Sequence, residues 1–226
     1  MDKKTEVRRI FDSISKKYDF LNHLLSAGID NYWRKKALKL SKISPESVIL
    51  DIACGTGDFS IAAKKLNPAK IYGADLSANM LKIFNDKKNW SRGNIVQTIS
   101  ENLPFKPGSF TNITVAFGVR NFYDLPQAFN SIRSSLKPGG RFTILEFQLP
   151  GNFFIRKIYL LYFTKILPFI GGIVSRDRAA YNYLPESVEK FDKEVNLPDL
   201  LANAGFKNIS KNTLTFGIVQ IVIGRN

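Results

Sequence analysis

From Val48 onward the chain keeps one cadence: a short apolar run, a bend, then a stretch with helical spacing. The runs are VILDIA, KIYGADL, NIVQTI, FTNITVAF and RFTILEF; between them lie GDFSIAAKKL, SANMLKIFNDKK and DLPQAFNSIRSSL. Strands separated by helices cannot pair as tight hairpins, so the cadence predicts an α/β fold, a parallel sheet with helices on both faces. Ser77 stands where it would cap the helix that follows it. Two regions depart from the cadence. After the helical NLPDLLANAG, the stretches FKNISKNTL and GIVQIVIGR predict an antiparallel hairpin completing the sheet edge. Residues 1–44 read as a helical cap, and 149–187 as an inserted lid, within one domain spanning 1–226.

The balance of 33 Lys plus Arg against 19 Asp plus Glu gives a formal charge of +14, which attracts polyanions or an anionic membrane leaflet. Many of the lysines are scattered singles and pairs, which fits a merely solvated surface equally well. A single cysteine excludes a disulfide framework. The opening MDKKTEVRRIFD has no apolar run after its charges, so no signal peptide and a cytoplasmic protein are expected. The stretch Asn152–Val174 is very apolar, but Arg156, Lys157, Lys165, Pro168 and Gly171-Gly172 interrupt it. It does not read as a membrane span. It is expected to lie on a membrane's inner face, to cover an apolar ligand, or to be a buried helix.

The first strand leads into DIACGTGD, Asp51 to Asp58. Gly55 and Gly57 let the backbone approach a ligand closely at a helix N-terminus. A dinucleotide loop would want a third glycine where Ser60 stands, and a P-loop would want a lysine where Asp58 stands. A cationic, phosphate-free ligand such as S-adenosyl-L-methionine suits the carboxylates of Asp51 and Asp58. Asp75, at the end of the second strand, is placed to accept both hydroxyls of a ribose. No metal is expected.

Further motifs narrow the reading. LKPGGRFTILEF with the terminal hairpin resembles the Rossmann-like class I methyltransferases that use S-adenosylmethionine. FDSISKKYDFLNHLLSAGIDNYWRK, LDIACGTGD, LPF, FGVRN, LKPGG, LEF and YNYLPES, in this order across nearly the whole chain, resemble the ubiquinone/menaquinone C-methyltransferase family. The strings Phe117-Gly118-Val119-Arg120-Asn121 and Tyr181-x-Tyr183-Leu184-x-Glu186-Ser187 are the most diagnostic. The resemblance implies C-methylation of a polyprenylated hydroquinone, demethylmenaquinol or the corresponding benzoquinol. It implies cofactor contacts at Thr56 in the glycine loop, at Asp75, at Ile99-Ser100 and at Ala116. The family usually has Asn or Asp where Ile99 stands, so a contact there has to come from backbone.

The chemistry needs an aromatic carbon activated by ionising the neighbouring hydroxyl and held in line with the methyl group. Arg120 stays protonated and is the first candidate to stabilise the developing phenolate. Asn121 would position the ring oxygen, and Tyr183 and Glu186 would face the same cleft from the lid. His23 is the only histidine and a weaker candidate base. An RNA methyltransferase is the rival reading. The place after the fourth strand reads Ala116-Phe117-Gly118-Val119 instead of the Asn/Asp-Pro-Pro-aromatic signature of base N-methylation. Cys54 sits in the glycine loop instead of near a reacting base, so no nucleic acid is expected. Homo-oligomerisation is left open by the sequence.

Overall fold

The computed structural model describes residues 3–169 and 178–226. Gly171, Gly172 and Val174 of the apolar insertion lie outside the described residues, as does the side chain of Tyr181. Three helices come first: α1 (Lys3–Ile14), α2 (Tyr18–Leu25) and α3 (Ile29–Leu40). The alternating section follows as β1 (Val48–Ile52), α4 (Asp58–Lys64), β2 (Lys70–Asp75), α5 (Ala78–Lys87), β3 (Ile95–Gln97), β4 (Phe110–Ala116), α6 (Leu125–Ser135) and β5 (Leu136–Phe147). The insertion contributes α7 (Phe153–Leu161), which runs into a π-turn at Tyr162–Ile166, and α8 (Arg178–Glu194). The chain then forms α9 (Leu197–Asn203), β6 (Lys207–Leu214) and β7 (Val219–Arg225).

The seven strands lie in the order β3-β2-β1-β4-β5-β7-β6. β1 to β5 pair in parallel, while β7 runs antiparallel between β5 and β6. The hairpin therefore completes the edge, with β7 inside and β6 outermost. β5 starts before RFTILEF: Leu136 already pairs with Phe110, but Asn112 next pairs with Arg141, so Lys137–Gly140 bulges from the ladder. The Ser77 side chain accepts from the Met80 amide, the cap expected for α5.

Both faces of the sheet are covered by apolar cores. One, with Phe129, Phe142 and Ile113, packs under α6 and α9; the other, with Trp33, Phe59 and Ile221, packs under α3 and α4. A third core lies off the sheet. It joins Ile10 and Ile14 of α1 to Tyr159, Phe163 and Leu167 of the insertion and Val188 of α8, so the described parts of the N-terminal helices and the insertion pack on one another.

Candidate active site

Where β1, β2 and β4 end, the backbone turns sharply. Ala53 (φ 53°) and Phe117 (φ 57°) adopt left-handed conformations that non-glycine residues rarely hold. The bends meet: a Cβ on Gly118 would lie 2.5 Å from the Ala53 Cβ. At Gly57 (φ 90°) a Cβ would fall 2.2 Å from the Phe84 ring, so only glycine fits. These turns open a cavity of about 430 Å³ at the strand lip, the size and place expected of a ligand site in an open α/β sheet.

Of the residues singled out by sequence, Gly55, Asp75, Ile99, Ser100, Ala116 and Asn121 line this cavity. Asp75 accepts from the Gly55 and Ser77 amides, both at 2.8 Å, so its carboxylate ties the first two strand exits together. Burial pushes its pKa up, against those two amide bonds. Glu101 shares the wall; it accepts from the Tyr123 amide at 2.7 Å and the Asp124 amide at 3.1 Å. Asp75 and Glu101, with no glycine-loop lysine, make the strand-exit wall of the cavity suited to a cation and unsuited to a phosphate. No Cβ contact lies within 4 Å at Gly55, so its backbone faces open space that a ligand can enter. The cavity's donor set thus fits S-adenosylmethionine.

Asp51, Thr56, Gly57, Arg120 and Tyr183 lie behind the wall. Asp51 sits beneath the glycine loop, taking hydroxyl bonds from Ser60 at 2.6 Å and Thr114 at 3.1 Å. Burial pushes its pKa up to about 6. The Thr56 hydroxyl is buried and donates to Asp19 of α2. Arg120 is only 7% exposed; its Nη1 lies 2.7 Å from Glu146 Oε1, itself 0% exposed. The guanidinium also donates to the Phe117 carbonyl at 2.6 Å and to Ser187 Oγ of α8 at 3.3 Å. Tyr183 donates to Asn121 Oδ1 at 2.9 Å, so the two diagnostic strings meet, while Glu186 is exposed.

Sequence reasoning missed what the cap supplies. Lys4, Val7, Arg8 and Phe11 of α1 and Tyr18 of α2 line the cavity opposite the strand exits. Their helical spacing was visible; the surface they faced was not. The cap is pinned by charge. Asp12 accepts from Ser77, Asp19 pairs with Lys87, and Arg34, paired to Asp30 within α3, reaches Asp58 at 3.8 Å. His23 Nδ1 lies 2.8 Å from Asp30 and its Nε2 3.6 Å from Asp58, so the lone histidine serves this clasp.

A profile described as the ubiE/COQ5 methyltransferase family matches residues 1–226. A demethylmenaquinone methyltransferase of Chlorobaculum tepidum is 43% identical, covering 94% of this chain and 89% of its own. A ubiquinone/menaquinone biosynthesis C-methyltransferase of Geotalea daltonii is 41% identical, covering 99% and 97%. Among solved structures, a putative S-adenosylmethionine-dependent methyltransferase of Methanococcus maripaludis superposes with a TM-score of 0.64 at 22% identity, over 95% of this chain and 93% of that one. The chain therefore belongs to the ubiE/COQ5 methyltransferase family, and S-adenosyl-L-methionine is its methyl donor.

Proposed function

We propose that the protein methylates a ring carbon of a polyprenylated hydroquinone, converting demethylmenaquinol to menaquinol. The observation that carries this reading is a cavity with two unlike walls. One is a carboxylate-flanked backbone bend; the other is a cap wall of Val7, Phe11 and Tyr18 beside Asn121. Relatives covering nearly the full length and named demethylmenaquinone methyltransferase support the naphthoquinol over the benzoquinol.

Bound S-adenosylmethionine supplies an electrophilic methyl group on a sulfonium. In this reading Asp75 accepts the ribose hydroxyls, the Gly55 backbone flanks the amino-acid end, and Ile99, Ser100 and Ala116 border the adenine. Asn121, fixed by Tyr183, holds a ring oxygen of the substrate. Arg120 is a positioning residue: by binding Glu146, the Phe117 carbonyl and Ser187 it joins β5, the bend after β4 and α8. Residues 1–44 and 149–187 act together as cap and lid, and exclude water from the reacting carbon.

The lid also carries a surface suited to a lipid interface. Phe154, Ile158 and Leu161 stand 74%, 70% and 61% exposed at helical spacing, beside Lys157 and near Lys165. Among the described residues no helix is long and apolar enough to cross a membrane. A peripheral seat would bring the cavity to a substrate whose tail stays in lipid. Purified protein incubated with demethylmenaquinol and cofactor should yield menaquinol by mass; methylation of the benzoquinol alone would move the assignment to ubiquinone synthesis. Flotation with anionic vesicles at low salt should carry the wild type, and Ile158→Asp should leave it behind.

A further inference from the structure

The LKPGG turn has no part in the site above, because it lies at the opposite edge of the sheet. There, at the N-terminal ends of β1, β4 and β5, a second depression of about 280 Å³ is lined by Lys42, Ser44, Glu46, Ser47, Lys137 and Arg141, three cations to one carboxylate. The bulge of Lys137–Gly140 makes one side of it, with Gly139 at φ 74°.

A row of like charges leads away from this hollow. Arg141 of β5 stands opposite Arg225 of β7, and Arg225 opposite Lys207 of β6. Directly opposed residues point to one face with Cβ atoms about 5 Å apart, and like charges placed so are destabilising. The face is fixed. Asn112, in register with Arg141, donates to the Ser41 carbonyl, and Thr143, two residues beyond Arg141, bonds the Ser41 hydroxyl. The row therefore lies on the side that α3 covers. Among the described residues none of Lys42, Lys137, Arg141, Lys207 and Arg225 joins an ion pair, and neither does Glu46. Burial and the charge of Arg225 both weigh against the charged form of Arg141. Ser44 and Ser47 share one hydroxyl contact at 3.4 Å, which uses only one of their two hydroxyl hydrogens.

We propose that this hollow is a phosphate-binding site, in which a dianionic phosphate group is held by Arg141, Lys137 and Lys42 and offsets the repulsion along the row. One guanidinium and two ammonium groups, from β5 and from the segment between α3 and β1, suit a tetrahedral oxyanion with acceptors on every side. The phosphate could belong to a small soluble ester or to a lipid headgroup. The apolar face of the lid is at the other edge, so a membrane seated there lies away from the hollow, which favours the soluble source.

Thermal melting of the full chain in inorganic phosphate, against chloride at matched ionic strength, tests the site. Phosphate should raise the melting temperature saturably beyond chloride, by about 3–6 °C at ten times the dissociation constant. Arg141→Gln removes both a holder and the repulsion with Arg225, so it should melt higher than wild type without phosphate and lose the phosphate increment, with methyl transfer unchanged. Amide resonances of Gly139 and Gly140 should move on titration. Equal responses to phosphate and chloride, or a lower melting point for Arg141→Gln in chloride, would overturn the proposal. A parallel arm with phosphatidylglycerol vesicles, run in the Ile158→Asp background to remove the lid's own attachment, separates the sources: residual binding that Arg141→Gln abolishes identifies a headgroup, and no residual binding identifies the soluble ester.

Discussion

The two walls of the active-site cavity are made by different means. The wall proposed for the cofactor is backbone, set by left-handed bends at Ala53, Gly57 and Phe117 and tied by amide bonds to Asp75. The wall proposed for the substrate is side chain, from N-terminal helices held by ion pairs and packed on α7 and α8. A backbone wall fixes one ligand shape and fails at a single added Cβ. A side-chain wall can be recut by substitutions along α1 without disturbing the sheet, so specificity for the ring and tail is free to change while the methyl donor stays the same.

Arg120 stands where the walls join, and removing it should have the largest effect. Arg120→Ala leaves Glu146 buried and unpaired, which costs about 3–5 kcal/mol of stability. Arg120→Met with Glu146→Gln should recover most of that in urea melts and still turn over slowly; full activity in the double variant would refute the positioning role. Next comes the footing of the cofactor wall. Asp51 has a folded pKa of about 6 against about 3.9 in the unfolded chain. The group is raised, so its contribution to stability is complete below about pH 4 and is lost as pH climbs through about 6, a change of about 3 kcal/mol. Asp51→Asn should flatten that part of the pH–stability curve, and an unchanged curve would mean that the loop does not depend on this carboxylate.

Smaller effects separate the walls directly. Asp75→Asn should weaken cofactor binding about 30- to 100-fold by calorimetry, through the loss of charged hydrogen bonds, and leave the quinol KM nearly unchanged. Tyr183→Phe should do the reverse. It removes the bond that orients Asn121, so kcat should fall about tenfold while cofactor affinity holds. If both variants moved both constants alike, the division into two walls would fail.

The sheet was legible because each strand is a run of local apolar residues, and Ser77 announced its cap through the side chain's own chemistry. Gly55, Asp75 and Asn121 were legible as neighbours of one cavity for a related reason: each sits at a strand exit, a place fixed by neighbours in sequence. The partners of Arg120 and Thr56 were not. Glu146 lies 26 residues beyond Arg120, and Asp19 lies 37 before Thr56. Nothing local tells an arginine held by a buried glutamate from one facing substrate. The start of β5 was misplaced because Lys137-Pro138-Gly139-Gly140 reads as a turn, whereas its ends remain in the ladder around a bulge. The cap wall was hidden for another reason: α1 shows an amphipathic face, and amphipathicity does not distinguish a face on a core from one on a cavity.

The placement of β7 between β5 and β6 has a consequence for how the protein is made. An interior strand is the last of the seven to leave the ribosome, so until Val219–Arg225 emerges β5 is an open, apolar edge able to recruit a stray strand. The sheet closes only after translation of that segment, and a message cut short within it should produce aggregate in place of a smaller folded enzyme.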